Sequence, residues 1–223
     1  MTSYLLHSLA LTLFIALVYK SGMKAQQLVG KAWVNPMLLA MLCIIPLMYL
    51  VDYSIETFNE HTQLLNTLLE PAIVALGFPL YQQIQVIKKN LSKIFVLLLT
   101  SIVLVLILSF LLAMFVMNNT DIATSIALKS ITTPVGLALT EELSGIASLT
   151  AITITIAGIS GAIFGQSFLN AINIKCPQAQ GLAIGCASHA LATTTISRIS
   201  VQHSAFASLA LALSALITAI VAP

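Results

Sequence analysis

Charge is what this sequence has least of. Only 7% of its 223 residues are Asp, Glu, Lys or Arg, against 59% hydrophobic. A soluble domain carries about a quarter charged residues. A chain this poor in charge cannot cover a water-facing surface, and its mean hydropathy of +1.03 points the same way. The net charge of +2 has no basic run behind it, so no nucleic acid is expected. Cysteine is also scarce. Cys43, Cys176 and Cys186 are odd in number and lack CxxC spacing, which argues against a disulfide framework or a zinc site. They read as packing residues. HExxH, GxSxG and Gly-rich phosphate loops are missing, so neither an enzyme nor a metal or cofactor is expected. Glu141 and Glu142 are adjacent, point to different sides of a helix, and read as an aqueous turn. No Lys or Arg precedes Lys20, unlike a cleavable signal peptide, so the first apolar run is expected to remain as a span.

What is present is a succession of apolar segments. A spanning helix needs about 20 apolar residues. Eight segments fall near 4–19, 34–51, 64–82, 94–117, 122–139, 143–174, 178–196 and 205–221. Lipid offers no partner to free backbone groups, and these runs are too long for barrel strands. The expected fold is therefore an all-α polytopic membrane protein, one transmembrane domain over 1–223 with seven or eight membrane segments.

Three segments fit a bilayer badly. The third carries Glu70, Pro71, Gly77 and Pro79. The fifth carries Lys129, Ser130, Thr132, Thr133 and Pro134, and the seventh is mostly Gly, Ala, Ser and Thr. These are expected to be broken or re-entrant, with Pro71, Pro79 and Pro134 as hinges. Segments three and four, and again seven and eight, place an interrupted stretch before a plain one, which reads as a rough internal repeat; four spans per half would make it parallel, and an inverted repeat needs a different count. Ala157, Gly161 and Gly165, and Gly181 with Gly185, recur every four residues and offer faces for close helix packing.

The loops orient the chain. Lys20, Lys24 and Lys31 follow segment one, and Lys88, Lys89 and Lys93 precede segment four; Asp52, Glu56 and Glu60 lie between segments two and three. The positive-inside rule places the Lys loops in the cytoplasm and the N-terminus outside. With eight crossings Arg198 also falls inside, but Lys129 and Lys175 fall near the outer side. A re-entrant segment five or seven changes that count.

The candidate chemistry sits in the misfits. A break before Pro134 starts a helix whose free N–H groups suit an anion, with hydroxyls from Ser130, Thr132 and Thr133 added. The plainer alternative is a kink with those hydroxyls bonded to their own backbone. Ser188, His189 and Thr193 are costly in lipid and should face protein or a water-filled cavity. His189 either binds an anion or a coupling proton, or is a neutral ring bonded to a neighbouring helix. Glu70 is a second proton-coupling candidate; its alternative is a helix start near the interface. Arg198 either clamps a carboxylate or anchors the chain at the cytoplasmic face.

Six ordered stretches carry a resemblance. They are Asn35-Pro36-Met37-Leu38-Leu39, Pro71 to Leu76 with Pro79-Leu80-Tyr81, Lys129 to Pro134, Ser148 to Ala151, Gly158 to Ala162, and Gly181 to His189. Over essentially its whole length the chain resembles the CidB/LrgB family of bacterial membrane proteins, with the YohK-type proteins and the C-terminal part of the plastid glycolate/glycerate translocator. Glu70 stands where that family usually has Gly, Ala192 replaces a Gly, and Thr195 stands where an Arg is common. Arg198 is one helical turn beyond that lost Arg. The resemblance implies one of two functions in a bacterial inner membrane. One is transport of small monocarboxylates such as glycolate, glycerate, pyruvate or lactate, by alternating access. The other is holin- or antiholin-like modulation of murein hydrolase activity and autolysis. Either implies a CidA/LrgA-type small membrane partner and a homo- or hetero-oligomer.

Overall fold

The computed structural model describes residues 2–30, 34–75 and 77–222, and these are helical without strands. Four helices among them are long and apolar enough to cross a membrane: Leu6–Val29, Ile84–Met117, Ala147–Ala171 and Val201–Val221. The protein is an all-α polytopic membrane protein. Its chain divides into two compact units, Met1–Ala75 and Leu76–Pro223.

The first unit holds α1 (Thr2–Val29), α2 (Pro36–Leu50), α3 (Ile55–His61) and α4 (Gln63–Ala75). Helix α2 starts where the sequence says it should. Asn35 Oδ1 accepts from the Met37 and Leu38 N–H groups at 2.8 and 3.4 Å, and Pro36 takes the first helical position, where its missing N–H costs nothing. Gly22 of α1 lets Pro36 approach, since a Cβ there would lie 3.0 Å from the Pro36 Cα. Pro71 lies inside α4. The Glu70 side chain lies outside the described residues.

The second unit begins with the short α5 (Gly77–Gln82), which contains Pro79, and continues into α6 (Ile84–Met117). Asn118 ends α6 in the left-handed conformation, and Asn119 Oδ1 caps α7 (Thr120–Ala127) by accepting from Ile122 N–H at 3.0 Å. Two adjacent Asn residues therefore reverse the chain. Helix α7 runs back along α6 and places Lys129 beside Ser109. A 3₁₀ turn, Leu128–Ser130, and the extended Ile131 and Thr132 follow, before α8 (Thr133–Glu142). Beyond α8 the chain comes back to α7: Gly145 at the exit packs on both Thr140 and Ser125, and Ser125 Oγ accepts from Ile146 N–H at 2.8 Å.

Segment five is thus a re-entrant hairpin. It enters and leaves at the Met117 end of α6. The next helix, α9 (Ala147–Ser160), descends antiparallel to α8, with Thr140 bonded to Thr150 at 2.8 Å and Gly136 facing Ile154. It passes through a π-helical turn at Gly161–Gly165 into α10 (Gln166–Ala171), forming one continuous span.

Segment seven forms α11 (Pro177–Ile196), which is interrupted at Ser188 (φ −138°, ψ 20°) and His189 (φ 42°, ψ −148°). The pairings on either side of the break show its course. Gln180 meets Asn170, Ile184 meets Gly165 and Ser188 meets Gly161, so the first arm runs antiparallel to α9–α10. Beyond the break, Leu191 reaches Gly158, Ala192 reaches Gly161, and Ile196 joins Leu169, so the second arm runs back the way the first came. Segment seven is a second re-entrant hairpin, entering at the Ala171 end. The final helix, α12 (Val201–Val221), climbs beside the first arm, with Gln180 opposite His203, Gly185 against Ala207, and Cys186 and Ser214 lining one narrow cavity.

Of the alternatives the sequence left open for segments five and seven, broken or re-entrant, both take the second. Segments five and seven enter and return rather than cross. Lys175 consequently falls at the same end as Lys88, Lys89, Lys93 and Arg198, and Lys129 falls at depth, not near an outer surface. The repeat is of the inverted kind, the one that a count of four spans per half does not allow. A long helix followed by a hairpin at its far end occurs twice, as α6 with α7–α8 and as α9–α10 with α11, and the second copy runs in the opposite direction.

Candidate functional site

The two hairpin tips meet inside the unit. The tip of hairpin one presents Ser130 and Ile131, and hairpin two presents Cys186, to one narrow cavity shared with Ile102, Val105, Leu106, Ser214 and Thr218. That space holds about one water molecule at most. The tips are closed on each other in this conformation.

Hairpin one offers an open helix start. Thr132 is the N-cap of α8, yet no side-chain bond caps it, and Pro134 follows. The Gly136 N–H is satisfied by the Thr132 carbonyl at 2.8 Å. The Thr133 and Val135 N–H groups precede the first intrahelical bond, as at any helix start. Ser130 and Thr132 are half-buried and Thr133 is exposed. The register of α8 on α9, with Thr140 on Thr150 and Gly136 on Ile154, carries this start to the level of Gly158.

Hairpin two brings His189 to that level. Its ring lies against Gly158, where a Cβ would come within 2.6 Å of the ring. Its Nε2 sits 2.7 Å from the Ile154 carbonyl oxygen, which can only accept, so Nε2 carries the proton. Ser188 fills the notch left by Gly161. His189 is buried, and its φ of +42° with ψ of −148° is a backbone region kept essentially for glycine. Strain of this kind persists only where surrounding packing holds it, and here the packing is the two glycine notches of α9.

A model of the LrgB-like family matches residues 15–223. The chain belongs to the LrgB-like family. It is 32% identical to a holin-like protein CidB of Staphylococcus epidermidis over 223 residues, covering 100% of this chain and 97% of that one. It is 30% identical to a holin-like protein CidB of Staphylococcus aureus, over 97% of this chain and 94% of the other. An uncharacterized Bacillus subtilis protein, YxaC, is 36% identical over 71% of this chain and 69% of its own. No solved structure matches the chain. Two of the stretches that carry the family resemblance, Lys129 to Pro134 and Gly181 to His189, are the tip of hairpin one and the leading arm and tip of hairpin two.

In this LrgB-like chain the predicted residues divide. Ser130, Thr132, Thr133, Ser188 and His189 are gathered at or near the tips. Thr193 follows one turn down the second arm, fully buried, with no hydrogen-bond partner for its hydroxyl among the described residues. Arg198 lies exposed at the mouth of hairpin two, the far end of that arm from His189. Pro134 stands at the first turn of α8, whereas Pro71 and Pro79 belong to α4 and α5.

A buried polar network at the same mouth was not among the residues the sequence singled out. Gln180 donates to Asn170 Oδ1 and to the Ile174 carbonyl, both at 2.7 Å, and its Oε1 lies 3.0 Å from His203 Nε2. His203 Nδ1 is in turn 2.8 Å from Ser200 Oγ. This network ties the first arm to α10 and α12. Its only sequence signal was a Gln and a His near the ends of apolar runs. Lys129 and Ser109 were likewise not expected to meet.

Proposed function

We propose that this protein is a transporter, or the membrane-embedded subunit of one, for small monocarboxylates of the glycolate, glycerate, pyruvate and lactate class. The observation that carries this reading is the pair of re-entrant hairpins, entering from opposite ends and meeting near mid-membrane. Irregular backbone at membrane depth is tolerated only where protein or a water-filled path surrounds it, and inverted repeats of this kind frame transporter binding sites. The α8 start supplies N–H groups and hydroxyls, and His189 closes the site from the other hairpin. In alternating access, hairpin one opens toward its own end and hairpin two toward the other, each exposing the tips in turn. The closed tips correspond to an occluded state.

The basic residues Lys88, Lys89, Lys93, Lys175 and Arg198 share one end of the unit, and Asp121, Glu141 and Glu142 the other. The positive-inside rule makes the basic end cytoplasmic in a bacterial inner membrane. Read from the sequence, the same rule makes the loop of Lys20, Lys24 and Lys31 cytoplasmic and leaves the N-terminus outside.

A second reading rests on the relatives called holin-like. In it the chain modulates autolysis together with a CidA/LrgA-type partner. Reconstitution separates the two. Transport predicts saturable uptake of labelled glycolate, pyruvate or lactate by the full chain in liposomes, altered by a proton gradient if protons are coupled. Dye leakage that needs the small partner and ignores carboxylate, with no uptake above empty liposomes, would overturn the transport reading in favour of the holin-like one.

A further inference from the structure

Lys129 is the one charged residue of the second unit placed at membrane depth. It donates to Ser109 Oγ of α6. Ser109 is eight residues before the end of α6 at Met117, which puts Lys129 about 12 Å below that end. The hydrocarbon core is about 30 Å thick, so the ammonium sits near its middle. From there its stem is too short to carry the charge to either surface.

Such a charge is normally paired, with another residue or with a ligand. The acids of this unit are Asp121, Glu141 and Glu142. Asp121 opens α7 at the surface end and accepts from Thr120 at 3.2 Å; Glu141 and Glu142 close α8 and are exposed. None is at the depth of Lys129. Ser109 shares a face of α6 with Val105, one turn away, and Val105 lines the cavity at the hairpin tips beside Ser130. Lys129 is thus adjacent in sequence to the tip, and its partner Ser109 stands one helical turn from the cavity lining.

We infer that Lys129 is the charge-recognition residue of the site: it binds the carboxylate of a small monoanion, and Ser109 holds its ammonium while the site is empty. This rests on the transport reading. It also sets the substrate class, since a single cation at depth favours one negative charge over two and disfavours neutral solutes. The α8 N–H groups and the Ser130 and Thr132 hydroxyls then serve the second oxygen or a neighbouring hydroxyl of the substrate.

The test uses full-length protein in liposomes with labelled glycolate, competed by unlabelled glycolate, malonate and ethylene glycol. Glycolate should compete well, and the dianion and the neutral diol weakly. Lys129→Gln should raise KM about 10- to 100-fold, the loss expected for one charge-assisted hydrogen bond. Lys129→Arg should keep part of the uptake. Ser109→Ala frees the ammonium from its resting partner and should lower KM, which a merely structural lysine would not do; it also decides the matter if Lys129→Gln fails to fold. Robust uptake with an unchanged KM in Lys129→Gln, or an unchanged or higher KM in Ser109→Ala, overturns the assignment while leaving transport standing. No uptake by the unaltered protein overturns transport itself.

Discussion

His189 holds a backbone conformation that an L side chain rarely adopts, and its ring is pressed into a notch at Gly158. Two substitutions separate backbone from ring. His189→Ala keeps the strain and loses the bond to Ile154; His189→Gly loses the bond but relaxes the strain. Thermal unfolding in detergent should place the Gly variant above the Ala variant by about 1 kcal/mol. Both should lose uptake, because both lack the ring. Equal stability would show that the positive φ carries no strain. At hairpin one, Thr133→Val removes an exposed hydroxyl at the α8 start, so uptake should fall about tenfold with the unfolding temperature unchanged. At this scale the sequence was informative. Lys129 to Pro134 and Ser188-His189 stood out because hydroxyls, a Lys and a His are costly in lipid. The partners they find were hidden, since Ser109 and the Ile154 carbonyl belong to runs that look uniformly apolar.

Helix elements are set against one another by glycine. A Cβ at Gly185 would strike the Ala207 backbone, and one at Gly161 would strike the Ser188 side chain. A Cβ at Gly165 would lie 3.4 Å from the flexible end of Ile184. The three Ala variants should therefore rank. Gly185→Ala should cost about 1–3 kcal/mol, because backbone cannot step aside. Gly161→Ala should displace Ser188 and with it the hairpin tip, and Gly165→Ala should be close to neutral. Differential scanning of the three purified variants checks the order, and a destabilised Gly165→Ala beside a neutral Gly185→Ala would contradict the packing. The four-residue spacing of these glycines was legible in the sequence as close packing. The break in α11 was legible too, as a segment expected to be broken or re-entrant, but which of the two it is was not. An arm that enters and returns has the same composition as a helix that crosses, and the helical hydrogen-bond pattern resumes on both sides of Ser188 and His189.

In the whole of the second unit, charge and topology agree once both hairpins are recognised. With eight crossings Lys175 conflicts with the positive-inside rule; with two re-entrant hairpins it joins Lys88, Lys89, Lys93 and Arg198 at one end. This agreement is physical support for the hairpins that is independent of their packing. It depends on four surface points: Thr120 and Ser144 bracket hairpin one, and Cys176 and Ile199 bracket hairpin two, all four exposed. With the other cysteines replaced, single-cysteine proteins bearing Thr120→Cys, Ser144→Cys, native Cys176 or Ile199→Cys are treated in intact cells with a membrane-impermeant maleimide. Thr120→Cys and Ser144→Cys should both be labelled from outside, and Cys176 and Ile199→Cys only after the membrane is opened. Labelling of the two members of either pair from opposite sides would mean that the hairpin crosses, and would contradict the opposed re-entrant tips on which the proposed site depends.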